Sequence, residues 1–212
     1  MAIDITELTF EEWVEFIFNH PVTKPAWHWS DEWEYYASDG VKLVRYLIRL
    51  FREPSFLFER YSREQLEQAF WFVPTLLCFV SFRGLLWQKN LPWKLRRELI
   101  VSIGDLFERF FAVDALETSC FMWWDVLAYG YHMTGGKPED KNGARVQQAM
   151  FETLKRILYL DSRDCRMSAL HGLGHLKHPE LEKTIDEFLA AHTDLDEELK
   201  KYALQCRMGE IM

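Results

Sequence analysis

Cys165-Arg166-Met167-Ser168-Ala169-Leu170-His171-Gly172-Leu173-Gly174-His175-Leu176 is the stretch on which the fold turns. Its apolar positions, Cys165, Ala169, Leu170, Leu173 and Leu176, have the spacing of one face of an α-helix. Shifted back 70 positions, Cys165, Ala169, Leu170, Leu173, Gly174 and Leu176 meet Leu95, Leu99, Ile100, Ile103, Gly104 and Leu106. Shifted forward 34, Cys165, Ala169 and Leu170 meet Leu199, Ala203 and Leu204. A period near 35 predicts stacked helical pairs, each too small to bury its apolar face alone. Gly172 and Gly174 would each cost about 1 kcal/mol in a lone helix relative to alanine. Their presence predicts that neighbouring helices approach closely at those positions.

The segment 161–189 resembles a short bacterial HEAT-like repeat. An acidic turn leads to Arg166, Ala169, Leu170, Leu173 and Gly174 in the pattern Arg-x-x-Ala-Leu-x-x-Leu-Gly, and Pro179 opens a second helix carrying Ile185, Phe188 and Leu189. The likeness is marked over 161–206, weaker over 92–160 and absent over 1–60. Arg207 stands where the other copies have Leu173 and Ile103, as a capping unit allows. The resemblance implies an all-α fold, a right-handed α-solenoid of stacked antiparallel helical hairpins. On this reading residues 91–212 are continuous repeats, and residues 1–90 are a divergent, aromatic-rich helical region packed on them.

The remaining sequence fits that class. The chain has 212 residues, 33 acidic against 25 basic, for a net charge of -8, and carries 9 Trp, 16 Phe and 8 Tyr. It is long enough for a sizeable core and too apolar for a disordered chain. Residues 1–62 hold 11 acids and 6 bases, so the acidic excess gathers at the N-terminal end. Such a balance argues against phosphate backbones, whose recognition needs Lys and Arg. The first residues are acidic where a signal peptide would be basic and then apolar. The longest apolar run, 69–82, is interrupted by Pro74 and falls short of the roughly 20 residues of a membrane span. Cys78, Cys120, Cys165 and Cys206 are scattered in helical patterns, as small buried hydrophobes of a reducing compartment are. A cytoplasmic protein without membrane contact is expected.

Local signals place the helices. Thr9 with Glu12 is a capping box, and Leu8 with Trp13 a hydrophobic staple, for a helix that His20-Pro21 ends. Residues 21–40, with Trp27, Trp29, Trp33, Tyr35 and Tyr36, are expected to wrap the first helices irregularly and bury those rings. A helix over 41–52 follows, then one opened by the Ser62/Gln65 capping box that Pro74 must kink or break. Leu91-Pro92 starts a helix reaching Phe111, and 118–133 forms another. Residues 134–143 read as an exposed loop. Helices over 144–160, 164–176, 179–191 and 196–208 complete the chain, with Asp161, Ser162 and Asp194 as candidate caps.

Three constellations carry possible chemistry. His171, His175 and His178 recur at i, i+4, i+7, a spacing that aligns three imidazoles and suits a transition metal. HEAT-like hydroxylases, similar in architecture, bind a di-iron centre through His-Glu pairs, and this chain has no His-Glu pair. His178 before Pro179 also reads as lying past the helix end, so no cofactor is expected. Asp125, Tyr129 and His132 form a second stripe, on the most aromatic helix. A carboxylate beside Trp123 and Trp124 is placed for a raised pKa and acid–base work. Those three residues resemble the catalytic helix of HEAT-like DNA-alkylation-repair glycosylases, which implies a catalytic role for Asp125. The structural alternative pairs Asp125 with Arg96, Arg97 or Arg166 of a neighbouring helix. Trp27, Trp29 and Trp33 are either loop seals or a recognition surface, because Trp is enriched at interface hot spots.

The expected function is non-enzymatic: a protein-binding module, adaptor or inhibitor of the immunity-protein kind, for a partner with a basic surface. The acidic residues expected to contribute are Glu11, Glu12, Glu15, Asp31, Glu32 and Glu34. The chain is similar in size and charge to small bacterial HEAT-repeat proteins. The alternatives are a glycosylase-type enzyme working through Asp125 and a scaffold that self-associates through its aromatic N-terminal region.

Overall fold

Helix α1, Phe10–Phe18, starts where its capping box sits: the Thr9 hydroxyl accepts from the Glu12 N–H, and the Glu12 carboxylate accepts from the Thr9 N–H at 2.9 Å. It buries Phe10, Trp13, Val14, Ile17 and Phe18. The computed structural model describes residues 2–29, 34–78, 84–133 and 140–211, without the side chains of Cys78 and residues 129–133. Two short parallel strands, β1 (Ile3–Asp4) and β2 (Tyr35–Tyr36), tie the ends of the N-terminal segment together. The other helices are α2 (Gly40–Arg52), α3 (Leu57–Arg60), α4 (Arg63–Cys78), α5 (Gly84–Trp87), α6 (Trp93–Leu106), α7 (Ser119–Met133), α8 (Lys141–Leu158), α9 (Arg163–Leu176), α10 (Leu181–Ala191) and α11 (Glu197–Met208). The fold is all-α, as the periodicity predicts.

Two series of neighbours build the core. Helices α2, α6 and α8 pack in succession, and so do α1, α4, α7, α9 and α11, with α8 and α9 joining the two series. Rings lock the N-terminal helices to the later ones: Phe70 of α4 meets Phe110 at 4.6 Å, Phe111 at 5.2 Å and Trp123 of α7 at 5.9 Å between centroids. Buried apolar side chains form one cluster reaching from Ile5 to Cys206. No helix among the described residues is long and apolar enough to cross a membrane.

Several expectations shift. Helix α4 runs unbroken through Pro74; burial of Phe70, Phe72, Val73, Leu76 and Leu77 outweighs one missing N–H bond. The helix after Pro92 passes into five residues of π-helix, Phe107–Phe111, which turns Phe107, Phe110 and Phe111 all inward. Helix α8 starts at Lys141, capped by Asp140, inside the expected loop, whose residues 134–139 lie outside the description. Ser162 caps α9 as expected, whereas Asp196, not Asp194, caps α11. The helices related by 34 positions, α9 and α11, are neighbours. The one related by 70, α6, packs instead on α2 and α8, because its Leu/Ile pattern suits a buried helix in either series.

Candidate functional site

The site begins with a missing side chain. A Cβ on Gly172 of α9 would lie 2.5 Å from Trp124 Cβ of α7 and 2.7 Å from Leu154 Cδ2 of α8. Only glycine lets α9 settle this deeply between them, as its position in the sequence predicts. Ser168 of α9 fastens the same crossing by donating its hydroxyl to the Cys120 carbonyl of α7 at 2.6 Å. Trp123 and Trp124 are buried beneath it, so the next residue, Asp125, emerges at the rim facing α9.

Opposite it stand His171 and His175, one helical turn apart on α9, with ring centroids 4.5 Å apart at 77°. Asp125 Oδ1 lies 3.3 Å from His175 Nε2. One ligand atom from each of Asp125, His171 and His175 can be chosen so that all lie within 4.8 Å of one another. The cluster is graded from inside to outside: His171 is 1% exposed, while the side chains of His175 and Asp125 are 28% and 37% exposed. His171 Nδ1 is hydrogen-bonded to the Tyr202 hydroxyl of α11 at 2.7 Å, and its ring packs on Phe121 at 4.4 Å. Its Nε2 is buried with no hydrogen-bond partner among the described residues. Burial pushes the His171 pKa down to about 4, helped by the neighbouring His175 and opposed by Asp125. At neutral pH the ring is therefore uncharged and one nitrogen carries a lone pair.

The three-histidine stripe is thus corrected to His171 and His175, with His178 past the helix end as its place before Pro179 predicts. Helix α9 ends at Leu176, and Lys177 takes a left-handed conformation with φ 51°, which swings His178 away. That ring stacks on Phe151 at 3.9 Å, bonds Gln148 Oε1 through Nε2 at 3.1 Å and accepts the Glu180 N–H at 3.2 Å. Asp125 takes its place beside the other two histidines. The arginine pairing expected for Asp125 is also corrected. Arg96 donates to the carbonyls of Leu91 and Leu86, Arg97 pairs with Glu152 and Arg166 with Asp161. The Tyr129 and His132 side chains lie outside the described residues.

The N-terminal aromatic residues divide. Trp27 is buried, stacked on His20 at 3.7 Å and packed on Phe72 at 4.8 Å. Trp29 is 72% exposed and borders a shallow cavity of about 330 Å³ lined also by Ala26, His28, Gln68 and Trp71. Sealing therefore describes Trp27 and not Trp29; Trp33, Asp31 and Glu32 lie outside the description. Three of the acidic residues have partners in the chain. Glu11 pairs with Arg49 at 3.1 Å, Glu12 caps α1, and Glu15 accepts the Tyr61 hydroxyl at 2.8 Å. Glu34 is exposed, and its carbonyl accepts the Ile3 N–H.

Sequence reasoning missed Glu67. From α4 its carboxylate closes the N-terminus of α7, accepting from the N–H groups of Glu117, Thr118 and Ser119 and from both hydroxyls of Thr118 and Ser119 at 2.7–3.1 Å. Burial raises its pKa, but the Thr118 and Ser119 donors outweigh burial and leave it lowered. Only the Thr118-Ser119 pair before an apolar run hinted at a cap, and nothing local named its partner. Comparison of the chain with protein-family models, curated proteins and solved structures gave no match.

Proposed function

We propose that the chain is a right-handed α-solenoid of HEAT-like hairpins that works by binding another protein, with its contact surface centred on Trp29. The successive packing of α7, α9 and α11, and of α2, α6 and α8, supports the solenoid reading. The observation that carries the binding reading is Trp29 itself, an indole left in solvent beside an apolar hollow while neighbouring Trp27 is buried. Exposed tryptophan at such a rim is what an interface anchor looks like before it is covered. The partner is a protein with a basic surface, because the segment that follows Trp29 carries Asp31, Glu32 and Glu34, and an indole face favours Lys or Arg.

The arginines support a protein rather than a nucleic acid. Arg49, Arg52, Arg63, Arg97, Arg156, Arg163, Arg166 and Arg207 each pair with a carboxylate of this chain, so their charge is already neutralised where phosphates would dock. The test is capture of partners from extracts of the source organism at low and high salt, with wild type and Trp29→Ala in parallel. A stoichiometric basic protein, lost at high salt and lost with Trp29→Ala, is expected. Capture that ignores both changes refutes this surface.

A further inference from the structure

We propose that Asp125, His171 and His175 form a binding site for one divalent first-row transition-metal ion. Two imidazoles and one carboxylate are the three-ligand set that zinc and non-haem iron sites use, leaving further coordination positions open. Zinc-to-ligand bonds of about 2.0–2.2 Å in a tetrahedron put ligand atoms roughly 3.3 Å apart. Asp125 Oδ1 and His175 Nε2 already have that separation, 3.3 Å. The three ligand atoms lie within 4.8 Å of one another, a spread that rotation of the partly exposed Asp125 and His175 side chains would close.

Two further features distinguish this cluster from a chance surface group. His171 is buried, and its Nε2 has no hydrogen-bond partner among the described residues, a state that an ion bound at that nitrogen would relieve. Its other nitrogen is held by Tyr202 at 2.7 Å. With Nδ1 carrying the proton and donating it to the tyrosine oxygen, Nε2 keeps its lone pair for the ion. That is the outer-shell arrangement that fixes tautomer and ring orientation in metal-binding histidines. The ring cannot swing away, because Phe121 packs against it and α9 is pinned to α7 at Gly172. Access is from the side where Asp125 and His175 meet solvent, so an ion reaches the buried nitrogen without unfolding a helix.

The experiment is titration of the metal-free full chain with Zn²⁺ by calorimetry, and with Co²⁺ by visible absorption. One equivalent is expected to bind, and cobalt is expected to show the intense bands of a low-coordinate site. Asp125→Asn and His175→Gln, at half-exposed positions where folding survives, are each expected to weaken binding by more than about tenfold, the loss that even an outer-shell change produces. Unchanged far-ultraviolet circular dichroism of both variants without metal establishes that the fold is intact. Absence of saturable binding overturns the proposal. Equal affinity in wild type and both variants also overturns it, because the ion is then bound elsewhere.

Discussion

Replacing Gly172 by alanine adds one methyl group where α7 and α9 cross, and the structure says what it meets. The new Cβ would fall 2.5 Å from Trp124 Cβ and 2.9 Å from Trp124 Cγ, about 1 Å inside the 3.5–4.0 Å optimum for carbon atoms. Trp124 Cβ is bonded to the backbone of α7 and cannot rotate aside, so the helices themselves must separate. Alanine gains about 1 kcal/mol of helix propensity over glycine, and overpacking a tight core costs about 1–3 kcal/mol, occasionally more. Separation also stretches the Ser168–Cys120 bond, worth about 1 kcal/mol. The net expectation is destabilisation by about 1–3 kcal/mol, a fall in Tm of roughly 2–12 °C for a chain of this size. Gly174→Ala is the internal comparison. Its Cβ would meet Ile211 Cδ1 at 2.2 Å, the movable end of a side chain beyond α11, so overlap there is relieved cheaply and the expected change is within about 1 kcal/mol. Urea and thermal unfolding of both variants, followed by circular dichroism at the helical band, decide the matter. A Gly172→Ala protein as stable as wild type, or more so, refutes the close crossing.

Other consequences are open to measurement. Glu67→Gln removes the charge that closes α7, and hydrogen bonds to charged acceptors are worth about 1.5–3 kcal/mol each; a loss of roughly 2–3 kcal/mol in urea unfolding at pH 7 is expected, and no loss contradicts the capping role. His28 is held down to about 4 by burial and by nearby His20. Because its folded pKa lies below its ordinary 6.5, the unfolded chain takes up the proton first as pH falls. Stability is therefore complete above pH 6.5 and declines between 6.5 and 4, by on the order of 1–3 kcal/mol; a flat profile of unfolding free energy across that window, or one that His28→Gln leaves equally steep, counts against it. Tyr202→Phe strips His171 Nδ1 of its partner and is expected to cost about 1–2 kcal/mol in metal-free protein, read by the same unfolding assay, with a weaker Zn²⁺ affinity on titration.

What the sequence discloses and what it withholds follow one physical rule. The Thr9/Glu12 and Ser62/Gln65 boxes and the Ser162 cap are legible because donor and acceptor lie within one turn. Gly172 is legible because a glycine on a buried helical face has few uses besides close approach. Asp125 is legible as an unusual carboxylate on an aromatic helix, but its partner is not. That partner stands on α9, and the register between two helices is set by the Trp124–Gly172 contact, which no spacing encodes. His178 is legible as lying past the helix, because Pro179 follows it, and the chain does turn left-handed at Lys177. Glu67 and the start of α7 are 52 residues apart, so a cap supplied by another helix has no local signature. Pro74 marks the opposite case, where a strong local signal for a break yields to tertiary burial. Trp27 and Trp29 differ by two positions and by nothing in composition, and it is packing on Phe16, His20 and Phe72 that separates the buried ring from the exposed one.

A crystal grown with Zn²⁺ and measured on both sides of the zinc absorption edge gives the decisive observation. An anomalous peak of full occupancy is expected between α7 and α9, about 2.0–2.2 Å from Asp125 Oδ1, His175 Nε2 and His171 Nε2. A map with no peak there, in crystals where the three side chains are well ordered, contradicts the site.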